Sequence, residues 1–250
     1  LIMVPVWSDR GPEHEQELIR LIERYGIGGI AFFQGGPVRQ AAMVNKFQEI
    51  SKVPILMGID AEWGLAMRLD STTRFPFQMA LGAIRNDSML FTMGQEIGRQ
   101  LKLTGVQVNF APVLDVNNNP ENPVINYRSF GSNKYNVSQK GIAYMLGMQD
   151  QGVLATGKHF PGHGDTDIDS HLALPVITHS RERMDEIELY PFRKAIRAGL
   201  GAIMVAHLHV PSLDPDKALP TTLSERVIDG LLDTSIGFKG LIMTDALNMK

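Results

Sequence analysis

Seven short apolar runs alternate with longer amphipathic stretches along this chain, and that alternation leaves few architectures open. The runs are LIMVPV (1–6), GGIAFF (28–33), PILMGI (54–59), VQVNFAPVL (106–114), VLATGKHF (153–160), AIMVAHLHV (202–210) and GLIMTDA (240–246). Between them lie PEHEQELIRLIERYG, RQAAMVNKFQEIS, SMLFTMGQEIGRQLKLTG, NVSQKGIAYMLGMQDQG, ERMDEIELYPFRKAIRAG and SERVIDGLLDT, whose apolar residues recur at helical spacing. Strands that are apolar at nearly every residue belong to a parallel sheet covered on both faces. Gly26, Gly105, Gly152 and Gly199 close helical stretches, and Thr222 with Glu225 predicts a capping box ahead of VIDGLL. Such a repeat either closes as an α/β, (β/α)8 TIM-type barrel or stays open as a doubly wound sheet. No G-x-G-x-x-G follows the first run, which disfavours the dinucleotide-binding open sheet.

The polar residues discriminate further, because they fall at the C-terminal ends of the apolar runs, where a barrel carries its active site. Asp60 and Glu62 end the third run, Asp115 the fourth, Lys158 and His159 the fifth, His207 and His209 the sixth, and Asp245 the seventh. Any one of them is explained by a cap or a loop contact. Five successive strands broken at the same end predict a shared pocket. The sequence ends shortly after Asp245, so the eighth strand and the last helices are expected to lie outside it. Residues 1–250 are read as one catalytic barrel domain from a longer chain.

A length of 250 residues with 44% hydrophobic content suffices for a sizeable core. The net charge of -3 supplies no electrostatic footprint for nucleic acid. No apolar run approaches the roughly 20 residues that span a bilayer, so no membrane span is expected. Zero cysteines exclude disulfide and thiolate chemistry without fixing a compartment, and localisation stays open. The 13 methionines, spread over strands and helices, read as core filler.

The stretch KHFPGHGDTDIDSH, residues 158–171, leaves the fifth run as a glycine-bearing loop dense in histidine and aspartate. Zinc is one reading of His159, His163 and His171 with Asp165 and Asp169. No helical H-x-x-x-H pair or known ligand spacing is present, however, and we expect no metal and no cofactor. In the other reading, Asp169 and His171 stand two apart in extended backbone. The carboxylate then bonds one imidazole nitrogen while the other faces substrate, which makes a general acid/base. His14 and His179 sit in polar surroundings with no chemistry assigned.

KHFPGHG followed by four residues and DSH resembles the signature of family 3 glycoside hydrolases, in the β-N-acetylglucosaminidase branch. GIDAEWGLAMR (58–68) is similar to the family's Asp-x-Glu-Gly-Gly segment and its following Arg, with Asp60, Glu62, Gly64 and Arg68 in register. VNFAPVLDVNNNP, INYRSFG, MVAHLHVP and TDALNMK resemble further family segments, so the likeness runs through nearly the whole sequence. It implies Asp245 as the nucleophile, His171 as acid/base and Asp169 as its partner. It places sugar-binding roles on Asp60, Arg68, Arg128, Lys158 and His159, with His207 at a pocket position. Trp63 stands where the family usually has Gly, and Leu65 where Arg is common; both are expected near the pocket rim, altering the leaving-group side.

The activity this implies is retaining removal of terminal β-linked N-acetylglucosamine through a covalent glycosyl-Asp245 intermediate, with a carbohydrate substrate drawn from peptidoglycan fragments (muropeptides) of bacteria. The alternatives are a β-glucosidase or a β-N-acetylglucosaminide phosphorylase of the same family, or a catalytically silent sugar-binding barrel. A metal-dependent hydrolase on a similar barrel would be revealed by sensitivity to EDTA.

Overall fold

The computed structural model describes residues 2–166, 174–216 and 219–248. Its strands are β1 (Met3–Val6), β2 (Gly29–Phe32), β3 (Leu56–Ile59), β4 (Val108–Asn109), β5 (Leu154–Phe160), β6 (Ala202–Val205) and β7 (Leu241–Thr244). They neighbour one another in sequence order, and every pair is parallel. A doubly wound sheet reverses its order part-way, and this one does not.

The sheet curls. Met3 of β1 and Met243 of β7 pack against one small cluster of Val108, Phe110 and Met204, together with Ala31 and Leu56. In a flat sheet six spacings of about 4.8 Å, roughly 29 Å, would separate β1 from β7. One cluster fed by six strands is therefore the filled interior of a TIM-type barrel, seven of whose strands lie among the described residues. Gly58 makes room for it, since a Cβ there would meet the Phe110 ring at 2.5 Å.

Outside the wall run α1 (Pro12–Tyr25), α2 (Pro37–Ile50), α3 (Gln78–Gly82), α4 (Asp87–Leu103), α5 (Lys134–Asp150), α6 (Arg181–Arg183) and α7 (Leu189–Arg197). Each long helix turns its apolar stripe onto the sheet: Leu18 and Ile22 from α1, Leu90, Ile97 and Leu101 from α4, Val137, Tyr144 and Met148 from α5. Gly26, Gly105, Gly152 and Gly199 all take the positive φ expected of them at helix ends. No helix among the described residues is long and apolar enough to cross a membrane.

Four local expectations are corrected. The fourth run pairs regularly only at Val108–Asn109; Pro112 brings no N–H to the ladder, although Leu114 N still donates to Lys158 O at 2.7 Å. The unforeseen α3 is short, and its Gln78 side chain bonds Val113 at both polar atoms, so it is held by tertiary contact and not by propensity. Residues 181–197 are not one regular helix: a π-helical stretch, Met184–Glu188, joins α6 to α7. Pro191 explains it, since a proline ring clashes with the carbonyl four residues back and the widened turn relieves that. Finally, Thr222 is no cap. Ser224 Oγ accepts from Val227 N, and the Thr222 hydroxyl is occupied by His207.

Candidate active site

The C-terminal strand ends do converge, and their side chains form one buried network of charge. Lys158, near the end of β5, places Nζ 2.7 Å from Asp60 Oδ1 and 2.8 Å from Glu62 Oε1, just beyond β3. Arg68, from the 3-10 turn that follows, pairs with Asp60 Oδ2. Arg128, at the end of the 3-10 turn Asn126–Arg128, grips Glu62 through Nη2 at 2.6 Å and through Nε, and donates from Nη1 to Val124 O. Its Nη2 also lies 3.3 Å from His159 Nε2. Glu62 and Lys158 are 0% and 2% exposed, so this network belongs to the interior and is not a solvated surface pair.

The electrostatics follow from that burial. Burial alone would push both carboxyls up, yet Lys158 and Arg68 hold Asp60 far below the usual carboxylate range. Likewise Arg128 and Lys158 hold Glu62 down at about 2. The same carboxylates outweigh the desolvation of Lys158 and Arg128 and raise both. Three basic side chains face two carboxylates here, and the pairing favours the charged forms of Asp60, Glu62, Lys158 and Arg128.

Asp115, just past β4 and fully buried, accepts from the backbone N–H of His159 and of His163 and lies 2.7 Å from His159 Nδ1. The turn after β5 packs onto the same segment. A Cβ at Gly164 would sit 1.9 Å from Val116 O, so only glycine fits. Asn122 Nδ2 donates to His163 O at 2.8 Å, and His163 Nδ1 meets Thr166 Oγ1 at 2.7 Å. Burial, then the neighbouring His159, lowers His163 to about 4, which keeps it neutral at physiological pH.

Across the barrel mouth, Asp245 N donates to Val205 O at 2.8 Å and prolongs the β6–β7 pairing, while its Oδ1 accepts from Ala246 N. His207 ends on the same segment. Its Nε2 donates to Ala246 O at 3.1 Å, because a carbonyl only accepts, and its Nδ1 lies 2.9 Å from Thr222 Oγ1. Both ring nitrogens are thus engaged by protein atoms, one of them the carbonyl of the residue after Asp245.

The structure therefore brings Asp60, Arg68, Arg128, Lys158 and His159 into one network and places His207 beside the Asp245 segment. Asp169 and His171 lie outside the described residues. Leu65 is 3% exposed and packs into the hydrophobic core. Trp63 stands half-buried with its ring edge-on to Phe77 at 4.8 Å, and Tyr127 completes an aromatic group beside Glu62 and Arg128. No role for Glu62 or Asp115 follows from the sequence alone; their positions after the third and fourth apolar runs, and the family-like segments that contain them, are the signals that point to them.

His179, given no chemistry above, bonds Asp165 Oδ2 through Nε2 at 2.6 Å. With Glu188 they form the group of potential metal ligands found among the described residues, their ligand atoms within 4.8 Å of one another. Arg183 Nη2 stands 2.9 Å from Glu188 Oε1 and 3.9 Å from Asp165 Oδ2, so a guanidinium already supplies the counter-charge.

The whole of residues 1–250 matches the model of the Glycosyl hydrolase family 3 N terminal domain. The chain belongs to this family. Among its relatives is Beta-hexosaminidase A of Pseudoalteromonas piscicida, 38% identical over 93% of this chain and 43% of its own length. The family 3 β-N-acetylglucosaminidase structure from Paenibacillus sp. str. FPU-7 superposes with a TM-score of 0.92 at 42% identity, over 100% of this chain and 48% of that one. NagZ from Neisseria gonorrhoeae does so with a TM-score of 0.87 at 30% identity, over 99% and 74%. This family 3 chain thus spans less than half the length of the first two. The fold inferred from the strand order is shared with both of these structures.

Proposed function

We propose that this barrel carries the sugar-gripping and nucleophilic half-sites of a retaining β-N-acetylglucosaminidase. The observation that carries the reading is the paired set of Asp60, Glu62, Lys158, Arg68 and Arg128 at the strand ends, built around the buried Glu62 and Lys158. Such fixed donors and acceptors suit a ring of sugar hydroxyls, which need both at short range and in set directions. His159 extends the set through Arg128, and His207 steadies the Asp245 segment.

In the reaction, a carboxylate oxygen of Asp245 attacks the anomeric carbon as the glycosidic C–O bond breaks, and His171 gives its proton to the departing oxygen. Asp169 bonds the other imidazole nitrogen and sustains the imidazolium. His171 then takes a proton from water, the water oxygen attacks the anomeric carbon, and Asp245 leaves as carboxylate. An imidazole base becomes neutral where a carboxylate base would be anionic, so no second negative charge stands beside Asp245. The names of its relatives support the N-acetylglucosamine preference. Peptidoglycan fragments are the natural substrate class we assign.

The test is hydrolysis of p-nitrophenyl β-N-acetylglucosaminide by the full-length protein, beside the glucoside, with and without phosphate, and with Asp245→Ala. Release from the acetamido sugar, indifferent to phosphate and abolished in the variant, is expected. Preference for the glucoside, a phosphorylated product, or full activity in the variant each overturns one part of the reading.

A further inference from the structure

Asp115 takes no part in the chemistry above, yet it is a fully buried carboxylate at the end of a barrel strand. We propose that Asp115 is a positioning residue, which fixes the ring tautomer of His159 and through it the orientation of Arg128 in the sugar site. The proposal rests on the reading of that network as the sugar grip.

Asp115 Oδ2 lies 2.7 Å from His159 Nδ1, while Arg128 Nη2 lies 3.3 Å from His159 Nε2. A guanidinium has donors only, so Nε2 accepts and the ring proton sits on Nδ1, donated to Asp115. That tautomer serves both neighbours. The reverse tautomer would turn an N–H on Nε2 toward the Arg128 N–H and leave the carboxylate facing a lone pair. Carboxylate–imidazole pairs fix a ring in this way wherever one nitrogen must stay in a given state.

The rest of the geometry says that Asp115 is built to hold its place. Its carboxylate also accepts from the N–H of His159 at 3.1 Å and of His163 at 2.7 Å, and its carbonyl accepts from Ser129 Oγ at 2.6 Å. Ser129 directly follows Arg128, so Asp115 reaches Arg128 by two routes: through the His159 ring and through the backbone. Burial alone would raise the Asp115 carboxyl, but its interactions with His159 and His163 outweigh that and keep it ionised. From Asp115 the hydrogen bonds pass through His159 and Arg128 to Glu62, Lys158 and Asp60.

Asp115→Asn keeps the shape and one acceptor oxygen. With that oxygen on the backbone N–H groups, the amide N–H points at Nδ1 and drives the ring proton to Nε2, against Arg128. The test uses the full-length protein as wild type, Asp115→Asn, His159→Gln and the double variant. Long-range 1H–15N spectra of 15N-histidine-labelled protein are expected to show His159 protonated on Nδ1 in the wild type and on Nε2 in Asp115→Asn. The value of kcat/KM for the acetamido glycoside is expected to fall about tenfold to hundredfold, roughly what losing one hydrogen bond to a charged group costs. In the His159→Gln background the same change should cost less than threefold, since its target is gone. An equal loss in both backgrounds would assign Asp115 to structure alone. An Nε2–H ring in the wild type overturns the proposal without any variant, so poor folding of Asp115→Asn does not protect it. A wild type that cleaves no glycoside would refute the glycosidase reading, while the tautomer measurement still decides this one.

Discussion

Glu62→Gln is the substitution whose cost the structure makes easiest to work out. Glu62 is 0% exposed and takes bonds from Arg128 Nη2 at 2.6 Å, Arg128 Nε at 3.1 and 3.2 Å, and Lys158 Nζ, its salt-bridge partner, at 2.8 Å. A glutamine of the same shape offers one acceptor oxygen and turns two N–H donors toward groups that can only donate. It also leaves Arg128, Lys158 and Arg68 facing Asp60 alone. Removing one partner from a buried pair costs about 3–5 kcal/mol, because the remaining charge stays desolvated. At about 2–4 °C per kcal/mol for a domain of this size, the melting temperature should drop roughly 6–20 °C. Thermal unfolding read by circular dichroism measures that drop and denaturant unfolding the free energy, with Lys134→Met as a control at the more exposed Lys134–Glu186 pair. A Glu62→Gln protein within about 1 kcal/mol of wild type, a typical single-substitution effect, would refute the view that this network is dry and mutually compensated.

Three further outcomes follow from the same geometry. Glu62 is held at about 2 against an ordinary 4.5, and Asp60 and Asp115 are held below their ordinary range. Depressed carboxyls stabilise the fold above their unfolded values and lose that contribution as pH falls through the folded ones, so stability should decline from about pH 4.5 toward 2; Glu62→Gln should flatten that decline in pH-dependent unfolding curves. Gly164→Ala should lower both stability and kcat, because its Cβ would meet backbone oxygen at 1.9 Å and the turn after β5 must shift; a fully active, equally stable variant would contradict that packing. Asp245→Ala should change unfolding free energy by less than about 1 kcal/mol, since the side chain is only partly buried and bonds its own neighbour's N–H; a large loss of stability would make it structural.

Much of the barrel was legible in the sequence because its signals are local and periodic. Runs such as AIMV in β6 are buried at every residue, as a strand covered on both faces must be, and the helix-ending glycines each needed a positive φ. Polar residues at strand ends were legible as a group for the same topological reason. What was missed depends on partners far along the chain. Thr222 and Ser224 look alike as caps, and only the placement of His207 decides that Thr222 turns away. Leu65 and Trp63 are two residues apart, yet one enters the core and the other joins Phe77 and Tyr127, a difference of side-chain direction that spacing does not encode across an irregular turn. The roles of Asp115 and Glu62 rest on distances to His159, Arg128 and Lys158, partners far along the chain that neither strand-end position nor a family-like segment specifies.

The central claim is that Asp245 forms the covalent bond to sugar. The direct measurement is mass spectrometry of the full-length protein after reaction with an activated 5-fluoro N-acetylglucosaminide, which slows both steps and lets a glycosyl-enzyme accumulate. One added sugar is expected, lost on adding an acceptor and mapped by proteolysis to the peptide containing Asp245. Turnover without any adduct, or a sugar mapped to another residue, would contradict it.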